Sequence, residues 1–231
     1  MMRPLTAQPE LVLFDLDDTL CDYASARARR LQAAFRRAAE RAGVRLPDDL
    51  TPMIEESITL HPHGTEHFGE LLTRYGITGT DAIRAAREWY AANRFHSLAL
   101  FPDAVETLAT VRAARPDRRI GMITNGPSEV QRAKIALLAI EQHVDFIIVS
   151  EEFGAWKPDP AIFAEALRLG SAPPDAAIFI GDSAEHDIAG AQGAGIDAVW
   201  INRAGLPWPS PTPAPRFIAS GLAEVRVLLG G

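Results

Sequence analysis

Leu11-Val-Leu-Phe-Asp-Leu-Asp-Asp-Thr-Leu20 decides how the rest of the chain is read. Leu11–Phe14 is a short, continuous apolar run, the pattern of a strand buried on both faces, and acidic residues follow it at once. Four runs of the same kind come later: Ile120–Ile123, Phe146–Val149, Ala177–Ile180 and Ala198–Ile201. Helical patterns lie between them. Asp159-Pro160 reads as an N-cap and first helical position, and Gly170 as the stop after Leu169. Strand–helix alternation predicts an α/β fold, a Rossmann-like parallel sheet with helices on both faces.

The spacing of the first two runs predicts something more. A crossover between parallel strands needs about a dozen residues or a few more. Here about 100 residues separate Phe14 from Ile120, and Pro102–Ala114 already offers the crossover helix. Residues 22–97 are therefore read as an inserted helical module, leaving 1–21 and 98–231 as the core domain. Within the insert, Ala24–Gly43 carries Leu31, Phe35, Ala38, Ala39 and Ala42 at helical spacing. Further helices are expected near 48–60, 64–76 and 80–96, and no strand. Prolines at 207, 209, 211, 213 and 215 predict an extended surface loop before a last short strand at Phe217-Ile218.

Composition narrows the function. The 231 residues are 47 % hydrophobic and 23 % charged, which suits a folded domain and excludes bulk disorder. A net charge of −7 argues against binding a nucleic acid polymer. No apolar run approaches a membrane span, and Met1–Glu10 does not read as a signal peptide. Cys21 is the only cysteine, so no intrachain disulfide forms and a cytoplasmic location is expected. Of the 23 basic residues only Lys134 and Lys157 are lysines.

Chemistry gathers at the carboxyl ends of the predicted strands, the edge where open α/β sheets bind ligands. Asp15 and Asp17 alternate with Leu16, so both carboxylates can rise from one edge while Leu16 turns to the core. Thr124, Asn125 and Gly126 follow the second strand, just before a helix start, where anions are favoured. Lys157 lies in the loop after the third, and Asp182 with Asp187 follows the fourth. Four acids against one lysine repel unless a cation binds or an acid keeps its proton. A hard divalent ion such as Mg²⁺, meeting a phosphate, suits such a set.

Together these stretches resemble the haloacid dehalogenase (HAD) superfamily, and within it the phosphatases with a helical cap inserted after the first strand. The resemblance rests on Phe14–Leu20 (FDLDDTL), Ile123–Gly126 (ITNG), Ser150–Phe163 (SEEFGAWKPDPAIF) and Ile180–Gly195 (IGDSAEHDIAGAQGAG). It implies that Asp15 is a nucleophile forming an aspartyl-phosphate, and that Asp17 protonates the leaving oxygen and then activates water. Asp15, the Asp17 backbone carbonyl and Asp182 would hold Mg²⁺, with Asp187 assisting directly or through water. Thr124, the Asn125 amide and Gly126 would bind the phosphoryl group, and Lys157 would orient Asp15. The implied partner is a small phosphorylated metabolite, nucleoside monophosphates first, with phosphoglycolate and sugar phosphates as alternatives. The cap would close over it about linkers near Cys21–Ala24 and Ser97–Pro102.

Other readings stand beside these. Dehalogenation needs no second acid, so Asp17 argues against it; phosphonate hydrolysis would need a cap lysine, and residues 22–97 contain none. A phosphomutase shares Asp15 and Asp17, and a non-enzymatic Mg²⁺- or phosphate-binding module would keep the pocket without turnover. Ser183 doubles as a good N-cap, and Asp187 as a helix-start acid. His61, His63 and His67 are read chiefly as a solvated surface, with substrate-facing polarity the next choice and a metal site the last. His186 is expected on the surface and Cys21 in packing, while Arg27 or Arg30 is the cap arginine best placed to face the site.

Overall fold

β1 (Leu11–Phe14) is buried along its whole length in the computed structural model, which describes residues 8–61, 64–209 and 214–230. Four helices follow: α1 (Tyr23–Ala42), α2 (Thr51–Leu60), α3 (Phe68–Arg74) and α4 (Thr80–Ala92). Then come α5 (Ala104–Ala114), β2 (Arg119–Thr124), α6 (Ser128–Leu137), β3 (Phe146–Val149), the one-turn α7 (Ser150–Phe153) and α8 (Pro160–Gly170). The chain ends with β4 (Ala177–Gly181), a π-helical turn (Ala184–Ala189), α9 (Gly190–Gly193), β5 (Asp197–Ile201), β6 (Phe217–Ala219) and α10 (Leu222–Gly230).

The strands form one parallel α/β sheet in the order β3-β2-β1-β4-β5-β6. β1 sits between β2 and β4, with Phe14 level with Met122 on one side and Ile180 on the other. That register brings Asp15, Thr124 and Gly181 to one edge. Leu11 and Leu13 pack with Ile162, Phe163, Ala166 and Ile188 from the helices beneath them. Val12 and Phe14 point the opposite way and are just as fully buried, so both faces of β1 are covered. Each such side chain contributes about 1.5–3 kcal/mol by leaving water.

Two local readings need correction. The α8 helix begins as predicted, with the Asp159 side chain accepting from the Ala161 N–H at 2.8 Å. It runs through Gly170, however, and Ser171 (φ +52°) takes the left-handed cap. The glycine is needed for space: a Cβ there would lie 2.5 Å from Leu11. Ala42, expected on the buried stripe of α1, is exposed where the helix ends. The proline loop is anchored by Trp208, whose ring meets Trp200 edge-on at 4.8 Å; Pro211 and Pro213 lie outside the described residues.

By internal contacts the chain divides into two units. One takes the chain through Asp22 and again from Ala99; the other is Tyr23–Leu98. In the first unit the outgoing and returning segments are hydrogen-bonded side by side: Asp22 N–H donates to Ala99 O at 3.0 Å and Phe101 N–H to Leu20 O at 2.9 Å. The second unit has its own core. Phe68 of α3 meets Phe35 of α1 at 5.1 Å and Tyr90 of α4 at 5.5 Å, both edge-on. Ala34, Ala38, Ala82 and Ala86 are buried in the same core, and their size lets α1 and α4 approach. Among the described residues no helix is long and apolar enough to cross a membrane.

Candidate active site

The turn after β1 is built by its own backbone. Leu16 and Leu20 are fully buried, and Leu20 and Cys21 N–H both donate to Leu16 O. Asp18 takes a left-handed conformation (φ +60°), which an aspartate tolerates. Leu16 therefore anchors the loop, with Asp15 and Asp17 flanking it.

Asp15 is buried, and its Oδ1 accepts from Lys157 Nζ at 2.5 Å. The same ammonium donates to Asp187 Oδ1 at 2.6 Å and to Ile123 O at 3.0 Å. Asp15, Asp182 and Asp187 each bring an oxygen within 4.8 Å of the others. Two of these three carboxylates thus bond one lysine. Burial raises the Asp15 pKa, Lys157 pulls it back, and Asp187 and Asp182 push it up again, leaving it well above the ordinary range. Burial, with Asp187 and Asp18 adding to it, pushes Asp182 up to about 7 against the pull of Lys157. Burial disfavours the Lys157 charge too, but Asp15 and Asp187 outweigh it and hold the ammonium above the usual lysine range. Three hard oxygen donors with surplus negative charge fit a divalent cation such as Mg²⁺.

Asp187 reaches this group from the π-helical turn. Both Asp187 and Ile188 N–H donate to Ser183 O, and the widened turn sets the Asp187 side chain against Gly181. A Cβ at Gly181 would lie 2.4 Å from Asp187 Oδ2, so only glycine leaves room. That oxygen accepts from Ser183 N–H at 3.0 Å, while Ser183 Oγ accepts from His186 N–H at 3.1 Å, so Ser183 does cap the turn. His186 is exposed.

At the β2 end, Asn125 uses both side-chain atoms on the Lys157 backbone: Nδ2 donates to its carbonyl and Oδ1 accepts from its N–H, each at 2.9 Å. Asn125 therefore fixes the lysine loop. Gly126, expected to bind the phosphoryl group, gives its N–H to Ser150 Oγ at 3.0 Å instead. Thr124 is buried.

The Asp17 carboxylate stands outside the acidic group. Lys134 Nζ contacts both its oxygens, Oδ1 at 2.9 Å and Oδ2 at 2.7 Å. Gln131 Nε2 adds a contact to Oδ2 at 3.2 Å, lies 3.1 Å from Asn125 O, and donates to Thr124 Oγ1. Carboxylate and carbonyl oxygens only accept, which fixes the amide nitrogen on this side. Thr124 consequently accepts from Gln131 and keeps its own hydroxyl proton to give. Cys21 Sγ lies 3.6 Å from Asp17 Oδ1; burial pushes the thiol pKa up, so the neutral S–H donates. Gln131 and Lys134 were not among the predicted site residues. One signal pointed to Lys134: it is the only lysine besides Lys157.

The remaining candidates belong to the helical unit's interior or to the surface. Arg30 is buried over the Tyr90 ring at 3.5 Å and donates to Arg94 O. His67 Nε2 lies 2.6 Å from the buried Ser57 Oγ and so packs the helical unit, while His61, parallel to it at 6.2 Å, is exposed as expected. His63 lies outside the described residues. Trp156 is 46 % exposed beside Lys157.

Comparison with known proteins matches residues 9–195 to the haloacid dehalogenase-like hydrolase family. A glyceraldehyde 3-phosphate phosphatase from Methanopyrus kandleri is 34 % identical over 83 % of each chain. A phosphoserine phosphatase from Thermus thermophilus is 30 % identical over 94 % of this chain and 97 % of its own. Among solved structures, a 2-haloacid dehalogenase from Pseudomonas syringae is 31 % identical with a TM-score of 0.60, covering 96 % and 98 % of the two chains. A HAD hydrolase from Bacillus subtilis shares the fold with a TM-score of 0.71 at 24 % identity, covering 96 % and 99 %. A parallel sheet with acids, lysine and threonine on one edge, and a match over most of the chain, make this protein a member of the haloacid dehalogenase-like hydrolase family.

Proposed function

We propose that this protein is a Mg²⁺-dependent phosphatase that works through an aspartyl-phosphate on Asp15. Its family and its phosphatase relatives make it a phosphoric monoester hydrolase of the HAD superfamily that acts on small phosphate esters. The observation that carries the finer reading is the arrangement of Asp15, Asp182 and Asp187 about Lys157 at the end of the central strand.

Lys157 holds Asp15 Oδ1 and so leaves the second oxygen to attack phosphorus. As the Asp15–phosphorus bond forms, the bond to the leaving oxygen breaks, and Asp17, which enters this step protonated, gives that oxygen its proton. A water then attacks phosphorus, Asp17 takes the water's proton, and the bond to Asp15 breaks to release inorganic phosphate. The Thr124 hydroxyl proton and the Asn125 backbone amide face the phosphoryl oxygens in this reading, while Gly126 shapes the turn. Asp15, Asp182 and the Asp17 carbonyl would hold Mg²⁺, with Asp187 assisting directly or through water. When bound, the ion supplies positive charge against the phosphoryl oxygens.

The helical unit serves as the cap that selects the substrate. Nucleoside monophosphates head the candidate list; the names of the relatives add glyceraldehyde 3-phosphate and phosphoserine. Asp17, held by its own buried lysine, favours ester hydrolysis over dehalogenation, where no alcohol needs a proton. The test is phosphate release from a panel of these esters with phosphoglycolate and sugar phosphates, with Mg²⁺ or chelator, beside Asp15→Asn and a 2-haloacid. Mg²⁺-dependent release that disappears in Asp15→Asn is expected, with no halide. Halide release without phosphate release would reverse the reading.

A further inference from the structure

We propose that Lys134 is the positioning residue of Asp17: it holds the carboxyl where the leaving-group oxygen of the substrate must receive its proton. This rests on the reading of Asp17 as proton donor and adds a residue to it.

Both lysines of the chain are buried, and both end on carboxylates at the same sheet edge. Taking an ammonium out of water is costly, and only a close partner offsets the cost. Lys157 meets buried acids, whereas Lys134, 4 % exposed, meets one that is 25 % exposed. Contact with both oxygens restrains rotation of the carboxyl group, which a single contact does not. Gln131, one helical turn earlier on α6, braces the same carboxylate and links it to Thr124. The acid and the phosphoryl-binding hydroxyl are thereby indexed to one rigid helix face, while Asp17 itself sits in a turn. Proton transfer depends steeply on such placement: an error of about 1 Å can cost about 10²-fold in rate.

The experiment compares kcat/KM on two substrates, the best alkyl phosphate of the panel and p-nitrophenyl phosphate. The alkyl alkoxide needs a proton to leave; the nitrophenolate leaves without one. Because kcat/KM reports only steps up to the departure of the leaving group, later hydrolysis does not enter. The variants are Asp17→Asn, Lys134→Met, Lys134→Gln and the double Asp17→Asn/Lys134→Met. Lys134→Met is expected to lose about 10²-fold on the alkyl ester, at least ten times its loss on the aryl ester. Lys134→Gln, which keeps a donor, falls between it and the wild type. The double variant is expected to be no worse than Asp17→Asn within about twofold, because Lys134 acts through Asp17.

Equal losses on both esters in Lys134→Met, while Asp17→Asn discriminates, overturn the role of Lys134 alone. So do losses that multiply in the double variant. If Lys134→Met does not fold, Lys134→Gln is judged by the same discrimination. No discrimination in Asp17→Asn removes the reading of Asp17, and this inference with it.

Discussion

Lys157 spends its three protons on Asp15, Asp187 and the Ile123 carbonyl, so nothing about it is adjustable. Replacing it with methionine leaves two buried carboxylates without a counter-charge. Lys157→Met is therefore expected to lose about 3–5 kcal/mol of stability in chelator, with Mg²⁺ raising its melting temperature more than that of the wild type. Thermal melts of both proteins with and without Mg²⁺ measure this; equal Mg²⁺ effects would count against ion binding at this group. The residues in this ensemble are polar groups at strand ends, and that pattern is open to a reader of sequence. Gln131 and Lys134 are not: they approach Asp17 across more than 110 residues of chain because β1 lies beside β2, and no local pattern announces the contact. The engagement of Gly126 by Ser150 is hidden for the same reason.

At the scale of elements, α2 and α3 are joined by the contact between Ser57 and His67. Burial, aided by the nearby charges of His61 and Arg87 and opposed by Glu66, lowers the His67 pKa. The sign follows directly. Below about pH 6.5 the unfolded chain takes up a proton that the folded unit resists, so stability is complete above that pH and declines on acidification. The wild type is expected to exceed His67→Gln in stability at pH 7.5 and to lose part of that margin at pH 5; urea midpoints at the two pH values test it. A margin independent of pH would mean that folding does not change the proton affinity of His67. Element types were readable wherever the hydrophobic period was strong, as in α1 and the core strands. α8 runs one residue past the predicted stop because Gly170 serves packing against Leu11, a tertiary demand, rather than the turn.

Across the molecule, Arg118 ties three distant segments without any carboxylate. Its guanidinium donates to Pro9 O at 3.0 Å, Val111 O at 2.8 Å, Leu229 O at 3.0 Å and Gln8 Oε1 at 2.8 Å. Arg118→Met strands the three buried carbonyl oxygens, each at about 1–3 kcal/mol, so a loss of at least about 3 kcal/mol in urea unfolding is expected. A loss under about 1 kcal/mol would mean that water takes the arginine's place. The sheet's parallel character and the surplus length before β2 could be argued from spacing alone, but this clamp could not, since arginines elsewhere in the chain mostly serve the surface. The paired entry and return segments at Leu20–Asp22 and Ala99–Phe101 have a consequence for synthesis. β1 leaves the ribosome first, yet its partners β2 and β4 emerge over 100 and 160 residues later. A floppy intervening chain would have to be closed into a long loop. Because the helical unit has its own core and its two ends lie side by side, folding it early cuts the loop that must close between β1 and β2 from residues 15–118 to residues 15–22 and 99–118, which lowers the entropy cost of bringing the oldest strand to its neighbour by about 1 kcal/mol.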